Sequence, residues 1–218
     1  MRADCYHALT RGNGRVTVFH DEGDYAAFIE LIDRAIKRHP IQLFAYCLMP
    51  NHVHFVLHAD PPRSMSQWMH WLLTTHAARY RMKYGGSGHI WQGRFKTFPI
   101  QQDAHLLRVM RYVERNPLTA SLVQRAEAWR WSSLVERDCG APARVALPPL
   151  TLPADWSDFV NAAIDERELE RIRHSTWKGT PFGSAAWIEQ TVRELGLEST
   201  VRPRGRPRKI QVLFGADE

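Results

Sequence analysis

Two histidines separated by one valine stand in "MPNHVHFVLH", residues 49–58. The apolar residues around them read as a strand. Side chains alternate across a strand, so His52 and His54 share a face and Val53 points to the other. Their Cβ atoms then lie about 6–7 Å apart, close enough for two imidazoles to converge on one metal ion. His58 lies on the same face, nearer the strand end. A second constellation lies in "RYVERNPL". Tyr112 and Asn116 are i and i+4 on a helix, with Cβ atoms about 5–6 Å apart. Arg111 and Arg115 form another such pair beside them. Together these groups suit phosphoryl chemistry: a tyrosine oxygen attacks phosphorus, a divalent metal polarises the phosphate, and guanidinium groups hold its oxygens. Each motif also has a plainer reading. The histidines can be strand residues without a ligand, Tyr112 a core aromatic, and Asn116 a helix C-cap before Pro117.

The elements that must position these residues follow from periodicity. "CYHALTRG" reads as a short strand and "GNGR" as a turn. An amphipathic helix follows, with Asp24 able to cap it and Phe28, Leu31, Ile32, Ala35 and Ile36 as its apolar stripe. "IQLFAYCLM" and "HVHFVLH", joined at Pro50-Asn51, form a hairpin. Residues 65–84 read as a long helix with Ser64 as cap. "RFKTFPIQ" is a strand of alternating basic and aromatic residues. Residues 103–117 form a helix stopped by Pro117, and a short helix comes after it. The order strand, helix, strand, strand, helix, strand, helix predicts an α+β domain. Its form is a ferredoxin-like (RRM-like) antiparallel sheet with helices on one face and the other face open. Residues 1–137 then make the catalytic domain and 138–154, rich in Pro and Ala, a linker. Helical segments at 155–174 and 183–196 make up a C-terminal extension over 155–198, and 199–218 form a basic tail.

Of 218 residues, 29 are Lys or Arg and 23 Asp or Glu, giving a net charge of +6, which favours a polyanionic partner. Basic residues interleave with aromatics in "GHIWQGRFKTF", a pattern suited to single strands, where rings stack on bases and cations follow phosphates. Trp91, Gln92, Arg94 and Lys96 are the contacts expected there, with Phe95 and Phe98 in the core on the opposite face. Arg11, Asn13 and Arg15 in "TRGNGR" sit where glycines allow backbone to approach a phosphate. "RPRGRPRK", residues 202–209, carries five positive charges in eight positions. Its Arg202, Arg204, Arg206, Arg208 and Lys209 suggest an AT-hook-like contact with the minor groove. The three cysteines Cys5, Cys47 and Cys139 form no CxxC pair, which argues against a zinc knuckle. No P-loop pattern occurs, and no apolar run reaches membrane-spanning length, so a cytoplasmic, nucleoid-associated protein is expected.

The motifs "MPNHVHFVLH", "GHIWQGRFK" and "RYVERNPLTASLV", in that order, resemble the HUH-type single-tyrosine transposases. The match is closest to the REP-associated tyrosine transposases of bacteria, whose opening "YHALTRGNGR" also fits. It covers about residues 5–135. The resemblance implies that His52, His54 and Asn116 hold Mg²⁺ or Mn²⁺ and that Tyr112 is the nucleophile. It also implies a ferredoxin-like fold and, as substrate, single-stranded DNA folded into REP-like hairpins. A 5′-phosphotyrosine would be the intermediate. Such proteins assemble their site within one chain or across two, so monomer and homodimer both stay open. The competing readings are a hairpin-binding protein that no longer cuts, an RNA-binding module and a cupin-like metalloprotein. The second gives the histidine pair no role. The third needs a Gly-rich β-barrel, whereas this chain is dense in helices.

Overall fold

The computed structural model describes residues 4–138 and 144–202. Four strands, β1 (Cys5–Arg11), β2 (Gln42–Met49), β3 (His52–His58) and β4 (Lys96–Ile100), form one sheet in the order β2-β3-β1-β4. Every pairing is antiparallel. Two long helices, α1 (Glu22–Arg38) and α2 (Arg63–Tyr84), connect β1 to β2 and β3 to β4. This is the ferredoxin-like α+β arrangement that the periodicity predicts.

The helices α1 and α2 share one face of the sheet. Phe28, Leu31, Ile32 and Ala35 of α1 meet Trp68, Met69 and Leu72 of α2 over Val53, Phe55 and Leu57 of β3. Each large apolar side chain buried there contributes about 1.5–3 kcal/mol. Asp21, not Asp24, caps α1, accepting a hydrogen bond from the Asp24 amide at 2.9 Å. Asp24 instead pairs with Lys83 at 2.8 Å and accepts from Tyr84 Oη at 2.7 Å, tying the start of α1 to the end of α2. Ser64 does not cap α2, because Pro62 occupies that position.

The opposite face is not open. Leu106, Val109, Met110 and Val113 of α3 (Ala104–Glu114) pack on Cys5, Cys47, Val56 and Phe98 of the sheet. Pro117 does not stop the helical path. After Arg115 it enters α4 (Asn116–Thr119), with Pro117 in the first turn, where its missing N–H leaves no acceptor unpaired. Beyond α5 (Ser133–Asp138), Ala146 N–H donates to the Leu43 carbonyl at 2.8 Å, so the segment expected as a linker runs beside the edge strand β2. The helix expected at 155–174 is two helices, α6 (Trp156–Asn161) and α7 (Glu166–Lys178), because Asp165 opens a new one by accepting from the amides of Arg167 and Glu168. Trp156, Val160, Ile172 and Phe182 join the same core. Phe182 also bonds along β4, donating to Pro99 O at 2.9 Å and accepting from Gln101 N at 3.0 Å. The helices α8 (Ala185–Leu195) and α9 (Glu198–Val201) complete the described chain. No helix among the described residues is long and apolar enough to cross a membrane.

Candidate active site

The sheet places His52 and His54 as the sequence predicts, on one face with ring centroids 5.0 Å apart. That face is the one α3 covers. Each ring has a fixed neighbour at Nδ1: Asn51 Oδ1 stands 2.7 Å from His52 Nδ1, and His7 Nε2 stands 2.8 Å from His54 Nδ1. When Nδ1 of each carries the proton and donates, Nε2 presents its lone pair, the form a metal needs. Burial disfavours protonation throughout. It pushes His52 down to about 4, helped by Arg11, and His7 down to about 3. His54 is driven well below the ordinary value, first by burial and then by its cationic and imidazole neighbours. All three rings are therefore neutral near pH 7.

The tyrosine helix is held over these rings by a buried carboxyl group. Glu114 is wholly buried and accepts from Ser133 Oγ at 2.5 Å, Trp156 Nε1 at 2.6 Å and Arg137 Nε at 3.1 Å. Two elements, α5 through Ser133 and Arg137 and α6 through Trp156, are thus fastened to the last turn of α3. Tyr112, two residues earlier, lies with its ring 5.9 Å from His54 and 6.5 Å from His7. Burial raises its phenol above the usual value, while the charges of Arg173 and Arg11 oppose that rise. Asn116 turns its amide nitrogen back to the Tyr112 carbonyl at 2.9 Å, which leaves Oδ1 as its possible ligand atom.

Arg111 and Arg115, expected as phosphate contacts, are turned to backbone carbonyls in this structure. Arg111 donates to the carbonyls of Ala162 and Ala163, at 2.6 and 2.9 Å, and Arg115 to those of Val160 and Asn161. Being i and i+4 they share a face, but it is the face that caps the C-terminal end of α6, where cations are favoured.

A cavity of about 500 Å³ opens beside Tyr112, lined by Arg11, Gln92, Arg94 and Lys96. Four residues expected to contact DNA thus come together beside Tyr112. Arg11 pairs directly with His52 across β1 and β3 and so shares its face. Its Nε is buried without a hydrogen-bond partner. Asn13 and Arg15 are exposed in a 3-10 turn (Asn13–Arg15), where Gly14 has φ +60°. That turn is tied to the hairpin by Gly12 N–H donating to Asn51 O at 2.8 Å. Trp91 is not available for stacking: it is 6 % exposed and packs with Phe19, Phe28 and His76. Phe98 is in the core but on the Lys96 face, 4.8 Å from His7. Arg202 is exposed, while Arg204, Arg206, Arg208 and Lys209 lie outside the described residues.

The profile of the family described as "Transposase IS200 like" matches residues 3–116, more than half of the 218 residues. The chain belongs to the IS200-like transposase family. It is 27% identical over 131 residues to a Haemophilus influenzae protein named for REP-associated tyrosine transposases, covering 55% of this chain and 69% of that one. A solved REP-associated tyrosine transposase bound to a REP hairpin aligns with a TM-score of 0.50 at 17% identity, over 76% of this chain and 95% of that one. The last likeness speaks to the fold.

Three features of this IS200-like transposase escaped the sequence reading. His7 sits on β1, diagonal to His54, and only the strand register brings the two together. Asn51 looks like a turn residue, yet its amide also orients His52. Arg173, Thr176 and Trp177 of α7 line the cavity beside Tyr112, although 61 residues separate Tyr112 from Arg173. Among the described residues no group of three or more His, Cys, Asp and Glu side chains is placed to hold a metal. His52 and His54 present two neutral imidazoles on one face of the sheet.

Proposed function

We propose that this transposase cuts and rejoins single-stranded DNA at REP-like hairpins, with Tyr112 as nucleophile. One observation carries the reading: the Tyr112 ring stands 5.9 Å from His54, beside a cavity lined by Arg11, Gln92, Arg94 and Lys96. The relatives, one a REP-associated tyrosine transposase and the other bound to a REP hairpin, suggest the substrate class. His52 and His54 through Nε2 and Asn116 through Oδ1 would hold Mg²⁺ or Mn²⁺, which draws charge from a phosphate oxygen when bound. The fit lies in the donors, which are neutral, and in the two imidazoles, which Asn51 and His7 already meet at Nδ1.

Tyr112 Oη attacks phosphorus and loses its proton as it does so, since burial keeps the phenol protonated at rest. The P–O3′ bond breaks, the departing 3′ oxygen takes up a proton, and the DNA 5′ phosphate becomes a phosphotyrosine. Arg11 and Arg173 face the charge that builds on the phenol oxygen and the phosphate. A second 3′-hydroxyl can then attack the phosphotyrosine and restore Tyr112, so no nucleotide hydrolysis is required. Labelled hairpin DNA incubated with the protein and Mn²⁺, run on a denaturing gel, should give a covalent protein–DNA band. Tyr112→Phe and His52→Ala should abolish it. Retarded DNA on a native gel with no covalent band on any hairpin would leave a binding protein that does not cut.

A further inference from the structure

The helix α7 belongs to the C-terminal extension, yet it forms one wall of the cavity beside Tyr112. Arg173, Thr176 and Trp177 line that wall, facing Arg11, Arg94 and Lys96 on the sheet side. No acidic residue lines the cavity among the described residues, so the charge there complements a phosphodiester chain. Trp177 is 51% exposed, an unusual setting for the largest apolar side chain. Its helix is firmly seated. Ile172 is fully buried in the core shared with the sheet, and Arg108 of α3 pairs with Glu168 at 3.4 Å. The indole is thus presented on a rigid element, with little ordering left to do when a base meets it. Arg173 makes only a loose exposed pair with Glu166 at 3.8 Å, so a phosphate can compete for it.

We propose that α7 is the DNA-holding wall of the strand-transfer site: Trp177 stacks on a base of the single strand flanking the hairpin, and Arg173 contacts that strand's backbone. This rests on the proposed function for the substrate class and adds the subsite that grips the unpaired strand. Stacking suits the role, because every base has a π-face and the contact tolerates sequence.

The test uses the full chain carrying Tyr112→Phe, so that binding is read without cleavage. Three fluorescein-labelled probes are titrated by anisotropy: a hairpin with a short thymidine flank, the same hairpin with an abasic flank, and the same hairpin cut blunt. Trp177→Ala should raise the dissociation constant for the thymidine flank by roughly 5- to 150-fold. It should leave the abasic and blunt probes unchanged, and Trp177→Phe should retain most of the affinity. Arg173→Gln should lower the slope of log K against log salt by about 0.7 for the flanked probe, as loss of one single-strand phosphate contact requires. Equal affinity of parent and Trp177→Ala for the thymidine flank overturns the proposal, and so does an equal loss on all three probes. Failure of the unsubstituted protein to form a covalent adduct would overturn the cleavage reading and leave this comparison intact.

Discussion

Replacing His7 by leucine tests whether the site is oriented from beneath. His7 and His54 are 1% and 3% exposed, and their ring nitrogens meet at 2.8 Å. Leucine fills a strand position facing Phe98 without a polar atom, so packing is largely kept. With the proton on His54 Nδ1, it removes the acceptor that holds that proton there. A buried donor left without a partner costs about 1–3 kcal/mol. Loss of an outer partner of a metal-binding histidine typically costs about 10- to 100-fold in affinity, or about 1.4–2.8 kcal/mol. The two routes agree. The expected outcome is a 10- to 100-fold rise in the dissociation constant for Mn²⁺, read from the electron paramagnetic resonance signal of the free ion. Covalent adduct formation should recover at high Mn²⁺, and His7→Gln, which keeps an acceptor, should fall between parent and His7→Leu. An Mn²⁺ isotherm unchanged in a folded His7→Leu protein would refute the reasoning, since His54 would then need no partner to present Nε2.

Glu114→Leu should destabilise the fold by about 3–5 kcal/mol, because it breaks a buried ion pair with Arg137 and strands the Trp156 indole N–H; urea unfolding checks this. Arg111→Gln should lower stability, because it loosens the end of α6, and leave the salt dependence of DNA binding unchanged. His76, buried against Phe28 and Trp91, is pushed down to about 4 by burial. The unfolded chain takes up this proton below about 6.5 and the folded chain does not, so stability is full above that pH and falls toward pH 4. His76 alone should account for about 2 kcal/mol between pH 7 and pH 5, a loss that His76→Gln should remove from the pH dependence of the urea midpoint.

Strand and helix periods made the fold legible, because β1–α1–β2–β3–α2–β4 keeps each apolar stripe in a continuous stretch of chain. The position of α3 was less legible. Nothing in "HLLRVMRYV" says which face of the sheet it covers, and its docking is decided by Glu114 meeting Ser133, Arg137 and Trp156 from later in the chain. The same gap explains the arginines. Arg111 and Arg115 have the right type and spacing for phosphate, yet their face meets the carbonyl end of α6, which no local pattern announces. Trp91 misled for a related reason: an aromatic among basic residues reads as a stacking platform until α1 and α2 are seen to enclose it. The cations that did gather beside Tyr112, Arg11, Arg94 and Lys96, lie at or just before the ends of strands. Local strand geometry is enough to place them.

Under the proposed function, the electrostatics of the site favour a neutral donor set. Arg11 stands opposite His52, lines the cavity, and bears on His52, His54 and Tyr112 alike. Its charge makes imidazolium unfavourable and phenolate less unfavourable, so one residue favours the ligand form of the histidines and the attacking form of the tyrosine. A carboxylate among the ligands would weaken both effects and repel the incoming phosphodiester at close range. Arg173 adds a second charge from α7, on the far side of Tyr112 in the sequence and on the same cavity in space. Tyr112 therefore lies between a cation of the sheet and a cation of the C-terminal extension. Both halves of the chain thus contribute to the field under which, in the proposed reaction, a buried tyrosine loses its proton to attack.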